Sequence, residues 1–293
     1  MDKFLEKSEN LKKLTKNIVI LYHGDCPDGF GAAWASWKKF GDGAEYIGVH
    51  HGDNPPDGLK DKEIYFLDFV YDKTVMEKLK SQNKKLIIID HHPKAQYLSN
   101  LSADMSFDTN RSGAVLAWNY FHPNRAVPFI LSCVQDRDLW RWIVQDSKEV
   151  LMYLDIFERD FQVWDDIIEK VDKQTSVKKE FIDNGKLLLR QWLSLCDNMI
   201  RSDSLLVKFE GYKTYAVNAS SVFANDIANT LIQKLSPMAI IWHQDKDGKI
   251  NVSLRSDGSV DVSELAGRYG GGGHKRSSAF RLKYGEEAPW RKI

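Results

Sequence analysis

Three short hydrophobic runs in this sequence each end on residues that can bind a metal ion. The runs cover 18–22, 64–67 and 86–89, and the residues that follow them are His23, Asp25 and Asp28, then Asp68, then Asp90, His91 and His92. Short apolar runs between polar turns are typical of buried strands in a parallel sheet. Because ligands collect beyond the carboxyl ends of such strands, we expect these carboxylates and imidazoles to meet. Such a cluster would suit two metal ions that activate water for hydrolysis.

The residue types indicate which ions would bind. Carboxylate oxygens suit Mg²⁺ and Mn²⁺, and imidazole nitrogens shift the preference towards Mn²⁺, Fe²⁺ or Co²⁺. Two ions about 3.5–4 Å apart need a bridging carboxylate and several terminal ligands. Asp136 is a further candidate, preferred over Asp138 because it follows an apolar segment directly. A single aspartate after a strand is more often a cap or turn residue, so the prediction depends on the aspartates and histidines occurring together.

A second group of residues, near the C-terminus, is suited to bind an anion. The four glycines 270–273 would let the backbone approach an anion closely, and His274 and two cationic residues follow them. Upstream, Arg255 and Ser256 end a predicted strand, and a guanidinium there could contact a phosphate through two hydrogen bonds. Taken alone, the glycine run is as consistent with a flexible hinge.

Aromatic and basic side chains lie close to these motifs in the sequence. Trp140 and Trp142 follow Asp138 and could stack a nucleobase, although packing is the more common role of such residues. Arg111 could contact a phosphate, and a solvated or salt-bridged surface position is its alternative.

The elements that would position these residues alternate between strand and helix in the first half of the chain. Helical spacing of apolar residues predicts helices over 29–39, 73–82, 112–121 and 127–134. A β-α-β order implies a parallel sheet with right-handed crossovers. We therefore predict an α/β fold whose N-terminal domain is a parallel sheet with flanking helices.

The second half of the chain changes character twice. From about 149 to 195 the pattern is helical and charged, which indicates a helical connector. Strands are predicted over 205–209, 214–217, 239–242 and 250–254, with a hairpin turn at 246–249. These patterns predict two domains: 1–200, with the connector at about 149–200, and a smaller α/β domain over 201–293.

The composition narrows the range of substrates. The chain has 293 residues, and 41 basic side chains balance 41 acidic ones. Proteins that bind long nucleic acids usually carry a basic surplus that neutralises phosphates. The balance here favours a short or small anionic substrate.

Hydropathy and cysteine content bear on the compartment. The sequence contains no run of about 18 apolar residues, so we expect no membrane span, and 1–16 lacks the apolar core of a secretion signal. The three cysteines form no CxxC pair, which favours free thiols in the cytoplasm. Cys26 lies between two candidate metal ligands and could make the site sensitive to oxidants or soft metals.

Four motifs in one order give the sequence a specific resemblance. They are His23 with Asp28-Gly29, the isolated Asp68, Asp90-His91-His92, and Gly270-Gly271-Gly272-Gly273-His274. Together they resemble the DHH/DHHA1 phosphoesterase superfamily, which includes single-strand exonucleases, nano-RNases, cyclic dinucleotide phosphodiesterases and family II pyrophosphatases. The resemblance runs from Ile18 to Leu282. It implies an N-terminal DHH domain on a parallel sheet, a helical connector and a smaller C-terminal α/β DHHA1 domain.

The resemblance also implies roles for individual residues. The implied metal ligands are His23, Asp25, Asp28, Asp68 as the bridge, His91 and Asp136. Asp90 would orient its neighbours, and His92 would face the scissile phosphate. The implied substrate contacts are Arg255, Gly271, Gly272, Gly273 and His274, and the sequence offers Ser256 and Arg111 as further candidates. Many members of the superfamily space the first two aspartates two residues apart, whereas Asp25 and Asp28 lie three apart, so Asp25 departs from the pattern and could bind through water.

The function implied is a Mn²⁺-dependent phosphodiesterase that hydrolyses short single-stranded oligonucleotides. Two divalent ions would activate a hydroxide, with Mg²⁺ or Co²⁺ as alternatives to Mn²⁺. Small nucleotides are the alternative substrates: a cyclic mono- or dinucleotide, or adenosine carrying 3′- and 5′-phosphates. A nucleotide-binding module that has lost catalysis is the alternative of another class. The sequence leaves open whether the chain forms a homodimer.

Overall fold

The computed structural model describes residues 14–24, 26–50 and 52–293. It divides into two compact units between Leu188 and Leu189, inside the helix Thr175–Asp203 and ahead of the 200/201 boundary that the sequence indicates. Asp25 and the segment 1–13 lie outside the described residues. The prediction that 1–16 is not a secretion signal concerns mostly this segment. Within the described ranges, the helices are all too short or too polar to cross a membrane.

The first unit is built on a parallel sheet. Its strands are β1 (Ile18–His23), β2 (Ala44–Val49), β3 (Glu63–Leu67), β4 (Lys85–Asp90) and β5 (Asp104–Phe107). Over the described part of this unit they pair in the order β2-β1-β3-β4-β5, and each pair is parallel. The three predicted runs are the adjacent strands β1, β3 and β4. The prediction of a parallel sheet is therefore confirmed.

Helices cover both faces of this sheet. They are α1 (Pro27–Phe40), α2 (Lys73–Gln82), α3 (Pro93–Gln96), α4 (Gly113–Phe121), α5 (Phe129–Asp138), α6 (Ser147–Leu154) and α7 (Phe161–Lys173), and α8 (Thr175–Asp203) crosses into the second unit. Ile20 packs in one apolar cluster with Trp34 and Trp118, whereas Val19 packs in the opposite one with Met76. Since alternate residues point to opposite faces, burial of both faces explains why the strands are continuously apolar.

The two edge strands, β2 and β5, are not predicted from the sequence. Four of the six residues in β2 are only partly buried, and the four residues of β5 are partly buried or exposed. Edge strands do not require the continuous apolar runs that mark central strands. Their sequences therefore carry a weak signal.

The second unit contains a mixed sheet. Its strands are β6 (Ser204–Phe209), β7 (Tyr212–Asn218), β8 (Met238–Gln244), β9 (Ile250–Ser256), β10 (Gly272–His274), β11 (Ser277–Leu282) and β12 (Arg291–Lys292). Within the described residues the order is β10-β11-β9-β8-β7-β6-β12, with only β7 and β8 parallel. The helices α9 (Ala224–Lys234) and α10 (Val262–Gly267) pack on it. The predicted α/β class is confirmed for both units.

The glycine run has a different structure from the hinge or loop that its composition suggests. Residues 272–274 form the edge strand β10, which pairs antiparallel with β11. The turn after it is held by the carbonyl of Lys275, which accepts the N–H of Val262, and by the carbonyl of Arg276, which accepts the N–H of Ser256. The glycines therefore give an ordered sheet edge.

Candidate metal centre

The carboxyl ends of β1, β3 and β4 place the predicted ligands side by side. Tyr22, Leu67 and Ile89 are aligned in register across the three strands, so the next residues of each strand share one edge. Asp68 has a left-handed backbone with φ of 62°, and its N–H donates to the carbonyl of Ile89 at 3.0 Å. A non-glycine residue in this region is strained. The turn directs the Asp68 carboxylate into the cluster.

Asp68 lies at the centre of the site. Its Oδ2 is 3.5 Å from Nδ1 of His23, and its Oδ1 is 3.2 Å from Nε2 of His91 and 3.9 Å from Nδ1 of His92. Burial alone would raise the pKa of Asp68, but the nearby imidazoles outweigh it and hold the pKa below its usual range. The two oxygens thus face different sets of neighbours, as expected of a bridging carboxylate.

Asp28, in the first turn of α1, is fixed by the N-terminus of α4. Its carboxylate accepts hydrogen bonds from the backbone N–H groups of Gly113 and Ala114, at 2.7 and 3.0 Å. Oδ2 also lies 4.0 Å from Nε2 of His91. Burial raises the pKa of Asp28 well above its usual value, and the charges of Asp68 and Asp138 raise it further.

The structure places Asp138, not Asp136, in the cluster. Oδ2 of Asp138 is 3.6 Å from Nε2 of His91. Asp136 instead accepts hydrogen bonds from the N–H groups of Ile143 and Val144 and from the hydroxyl of Ser147, at 2.6–3.1 Å. Residues two apart on a helix point to nearly opposite sides. Asp136 therefore holds the following loop, and we replace it by Asp138 in the candidate ligand set.

Asp90 and His92 form a supporting pair. Oδ1 of Asp90, which is fully buried, accepts the backbone N–H groups of His91 and His92 and lies 2.8 Å from Nδ1 of His92. This contact raises the pKa of His92. Nδ1 is thus engaged, and the partly exposed ring is oriented by Asp90.

Cys26 also belongs to the cluster. Its Sγ lies 3.3 Å from Nδ1 of His23 and 3.6 Å from Oδ2 of Asp68. Burial raises the pKa of its thiol, and the charge of Asp68 adds to this effect. From the sequence, Cys26 is expected to make the site sensitive to oxidants or soft metals, and the structure places its sulfur against His23 and Asp68.

The described residues fit divalent cations. Ligand-type atoms within 4.8 Å of one another form three overlapping groups: Asp68, Asp90, His91 and His92; His23, Cys26 and Asp68; and Asp28, His91 and Asp138. Although Oδ1 of Asp68 and Nε2 of His91 are close, neither has a hydrogen-bond partner among the described residues. Burial lowers the pKa of His91, but Asp68 and Asp138 raise it to about 9. Orphaned buried atoms among crowded carboxylates are what a bound cation would satisfy.

A loop beside the cluster carries exposed aromatic and basic groups. Trp140 and Trp142 both have left-handed backbones, with φ of 54° and 53°, and their rings meet edge to face at 5.1 Å. Trp140 is 42% exposed. Arg141 donates to the carbonyl of Asn110 at 3.0 Å, which places it beside Arg111. Arg111 is itself exposed, with Asp108 at 4.0 Å.

In the second unit the predicted substrate residues separate by strand face. Arg255 is on the face of β9 that α9 partly covers, and its Nε donates to Oδ1 of Asn225 at 2.7 Å. Ser256 points to the opposite face, where its buried hydroxyl oxygen lies 2.8 Å from the carbonyl oxygen of Val260 and 3.2 Å from that of Lys275. Ser256 therefore supports the fold, and its predicted substrate contact does not fit this position. His274 is exposed at the sheet edge.

A cavity of about 640 Å³ lies within the second unit, on the face of β9 that carries Arg255. Its lining is mixed: polar and charged residues, two of the glycines and three apolar residues, namely Ser221, His243, Asp245, Asn251, Ser253, Arg281, Gly270, Gly271, Val252, Ala279 and Phe280. Its size lies within the range of about 300–1,000 Å³ that is usual for small-ligand sites. The sequence does not mark His243, Asn251 and Arg281 as site residues. They are single polar residues within the strands β8, β9 and β11, where polar positions are common.

Comparison with known proteins is consistent with this arrangement. A DHHA1 domain model matches residues 204–289. An uncharacterized protein, R106, of Acanthamoeba polyphaga mimivirus is 28% identical over 286 residues, which cover 89% of this chain and 66% of that protein. The oligoribonuclease NrnB of Bacillus subtilis is 27% identical over 303 residues, which cover 89% of this chain and 72% of NrnB. The chain thus spans about two thirds of the length of these relatives.

Among solved structures, the pGpG-specific phosphodiesterase PggH of Vibrio cholerae has the same fold. Its TM-score is 0.53 at 13% identity, over 91% of this chain and 93% of that one. The structural match shows a shared fold, and the domain match and the long alignments bear on the class. Residues 204–289 match the DHHA1 domain, and the alignment with NrnB supports the resemblance of the chain to the DHH/DHHA1 superfamily of metal-dependent phosphoesterases.

Proposed function

We propose that this protein is a phosphodiesterase that uses two divalent ions, preferably Mn²⁺, to hydrolyse short single-stranded oligonucleotides to mononucleotides. The observation that carries the proposal is the central position of Asp68, whose two oxygens face separate groups of ligand-type atoms. The similarity to NrnB, an oligoribonuclease, supports the choice of substrate. The balanced net charge favours a short strand over a long one.

The proposed ligands are His23, Asp28, Asp68, His91 and Asp138, with Asp25 as a further ligand from the sequence. When bound, the ions would lower the pKa of a water molecule and offset the charge that develops on the phosphoryl oxygens. Asp90 holds His92 through Nδ1, which leaves Nε2 for the phosphate or the leaving oxygen. His92 is then the proton donor of the reaction.

The loop beside the cluster supports a nucleotide substrate over inorganic pyrophosphate. Trp140 offers an exposed ring on which a base can stack, and Arg111 and Arg141 supply positive charge for neighbouring phosphates. In the second unit, we propose that Arg255, the edge strand 272–274 and its glycines bind a phosphate group of the substrate. Pyrophosphate would use none of these aromatic contacts.

A small nucleotide is the second candidate substrate. The cavity of about 640 Å³ in the second unit favours it, because that volume suits one or two nucleotide units. A cyclic dinucleotide or an adenosine 3′,5′-bisphosphate would use the same metal chemistry.

Product analysis distinguishes these substrates. The protein is incubated with Mn²⁺ and, separately, with a 5′-labelled diribonucleotide, a pentaribonucleotide, a cyclic dinucleotide, cyclic AMP and adenosine 3′,5′-bisphosphate. A chelator and the Asp68→Asn variant are the controls. We expect mononucleotide release from the linear RNAs alone, abolished by both controls. Turnover of only a cyclic or 3′-phosphorylated nucleotide would replace the first candidate by the second. Nucleotide binding without any turnover would contradict both and favour the inactive binding module.

A further inference from the structure

The two oxygens of Asp68 face chemically different groups of atoms. Oδ1 faces the nitrogen of His91, beside the carboxylates of Asp28 and Asp138. Oδ2 faces Nδ1 of His23 and Sγ of Cys26. One side of the bridge therefore offers only nitrogen and oxygen, and the other also offers sulfur.

The backbone fixes the position of the Cys26 thiol. Cys26 is the N-cap of α1, with extended φ and ψ of −128° and 158°, and its sulfur accepts the N–H of Gly29 at 3.4 Å. Pro27 begins the helix directly after it. A Cβ on Gly29 would lie 2.1 Å from the carbonyl oxygen of His23, so the close packing of this turn on β1 requires glycine. The thiol is therefore held beside His23.

The sequence register points to the same residue. The resemblance implies two aspartates spaced two residues apart in the first motif, and the residue two before Asp28 is Cys26. Asp25 is displaced from that register by one position. Cys26 thus lies at the position that this spacing gives to the earlier aspartate, and its sulfur contacts His23 and Asp68.

We infer that Cys26 is itself a metal ligand, which completes a histidine, cysteine and aspartate set on the Oδ2 side of Asp68. The inference rests on the two-metal site of the proposed function. On binding, the thiol proton passes to solvent and the sulfur donates an electron pair to the ion. Because thiolate ligands favour softer ions, this position binds Co²⁺ or Zn²⁺ in preference to Mg²⁺, while the Oδ1 side keeps the preferences of nitrogen and oxygen ligands.

Optical titration with Co²⁺ tests the inference without measuring activity. We expect the full chain, freed of metal by a chelator, to develop both the visible bands of bound Co²⁺ and a near-ultraviolet sulfur-to-cobalt charge-transfer band. Cys26→Ser keeps an oxygen that can cap α1, so it should fold. It should lose the charge-transfer band and bind the first Co²⁺ at least about tenfold more weakly, since even the loss of an outer-shell partner has about this effect.

The matched control is Cys196→Ser, which changes a buried thiol in the second unit and should keep the band. Cys26→Asp replaces the sulfur by a carboxylate and should shift the preference from Co²⁺ towards Mn²⁺. Co²⁺ binding to the unaltered chain without a charge-transfer band, or a band that persists in Cys26→Ser, would overturn the inference but leave the proposed function intact. Failure of the folded chain to bind any Co²⁺ or Mn²⁺ would overturn both.

Discussion

Gly113 packs directly against Asp68. A Cβ placed on Gly113 would lie 2.6 Å from the Cβ of Asp68 and 2.8 Å from its Oδ1. The backbone N–H of Gly113 also donates a hydrogen bond to the carboxylate of Asp28. This one glycine therefore lets the N-terminus of α4 approach two candidate ligands at once.

We expect Gly113→Ala to weaken Co²⁺ and Mn²⁺ binding, because Asp68 must move to make room for the methyl group. Overpacking of this kind costs about 1–3 kcal/mol of the free energy of unfolding. Urea unfolding and metal titration measure the two effects. Gly43→Ala is the control, since a Cβ there meets open space. Unchanged metal affinity in Gly113→Ala would show that the packing does not support the site.

Asp136 and Asp138 should respond differently to the same substitution. Asp136→Asn places an amide NH₂ among the two N–H groups and the hydroxyl that Asp136 now accepts, so we expect a loss of about 1–3 kcal/mol in stability. Asp138→Asn should remove metal binding with little loss of stability. Denaturant unfolding and Co²⁺ titration separate the two. The reverse pattern would restore Asp136 as the ligand.

His92 should affect the rate without affecting metal binding. Loss of a general acid typically lowers the rate by about 10²–10⁴-fold, so we expect His92→Gln to reduce kcat by that factor with KM and Co²⁺ affinity nearly unchanged. Steady-state kinetics on a diribonucleotide, together with Co²⁺ titration, measure this. His122→Gln is the control, because Nε2 of His122 lies 2.9 Å from the carbonyl oxygen of Ala35 in α1 and His122 is not a candidate ligand. A fall in metal affinity that matches the fall in kcat would instead make His92 a ligand.

Trp140 should contribute to KM through stacking. A stacked base is worth about 1–3 kcal/mol, which corresponds to a KM about 5- to 140-fold higher in Trp140→Ala. Trp140→Phe keeps an aromatic ring and should recover most of the loss. The neighbouring Ile143 is 78% exposed, so Ile143→Ala controls for lost apolar surface. Equal KM values for the alanine and phenylalanine variants would argue against stacking.

Two adjacent glycines test whether the substrate approaches the edge strand. A Cβ on Gly272 meets open space, whereas one on Gly271 would lie 2.1 Å from the carbonyl oxygen of Ala279. We expect Gly272→Ala to fold normally but to raise KM, because the methyl group would stand between the backbone and an anion. Gly271→Ala should lower stability. Thermal unfolding and KM measurements check both, and an unchanged KM in Gly272→Ala would place the substrate elsewhere.

The first unit could be predicted largely from local sequence. Central strands buried on both faces must be continuously apolar, so β1, β3 and β4 are visible as runs, and the residues that follow them necessarily meet at one edge. The structure of the glycine run does not follow from local sequence. Its pairing with β11 depends on residues further along the chain, and composition alone does not distinguish an edge strand from a hinge.

By itself, the sequence determined the α/β class, the order of the motifs and most candidate ligands: His23, Asp28, Asp68 and His91. Only the tertiary structure decided that Asp138, and not Asp136, lies in the cluster. It also showed that Ser256 and Arg255 point to opposite faces of β9, and that Cys26 contacts Asp68. The physical reason is that a strand end sets a position along the chain, whereas the direction of a side chain depends on helix rotation, strand face and packing. Helix rotation, strand face and packing are set by contacts between residues that are far apart in the sequence.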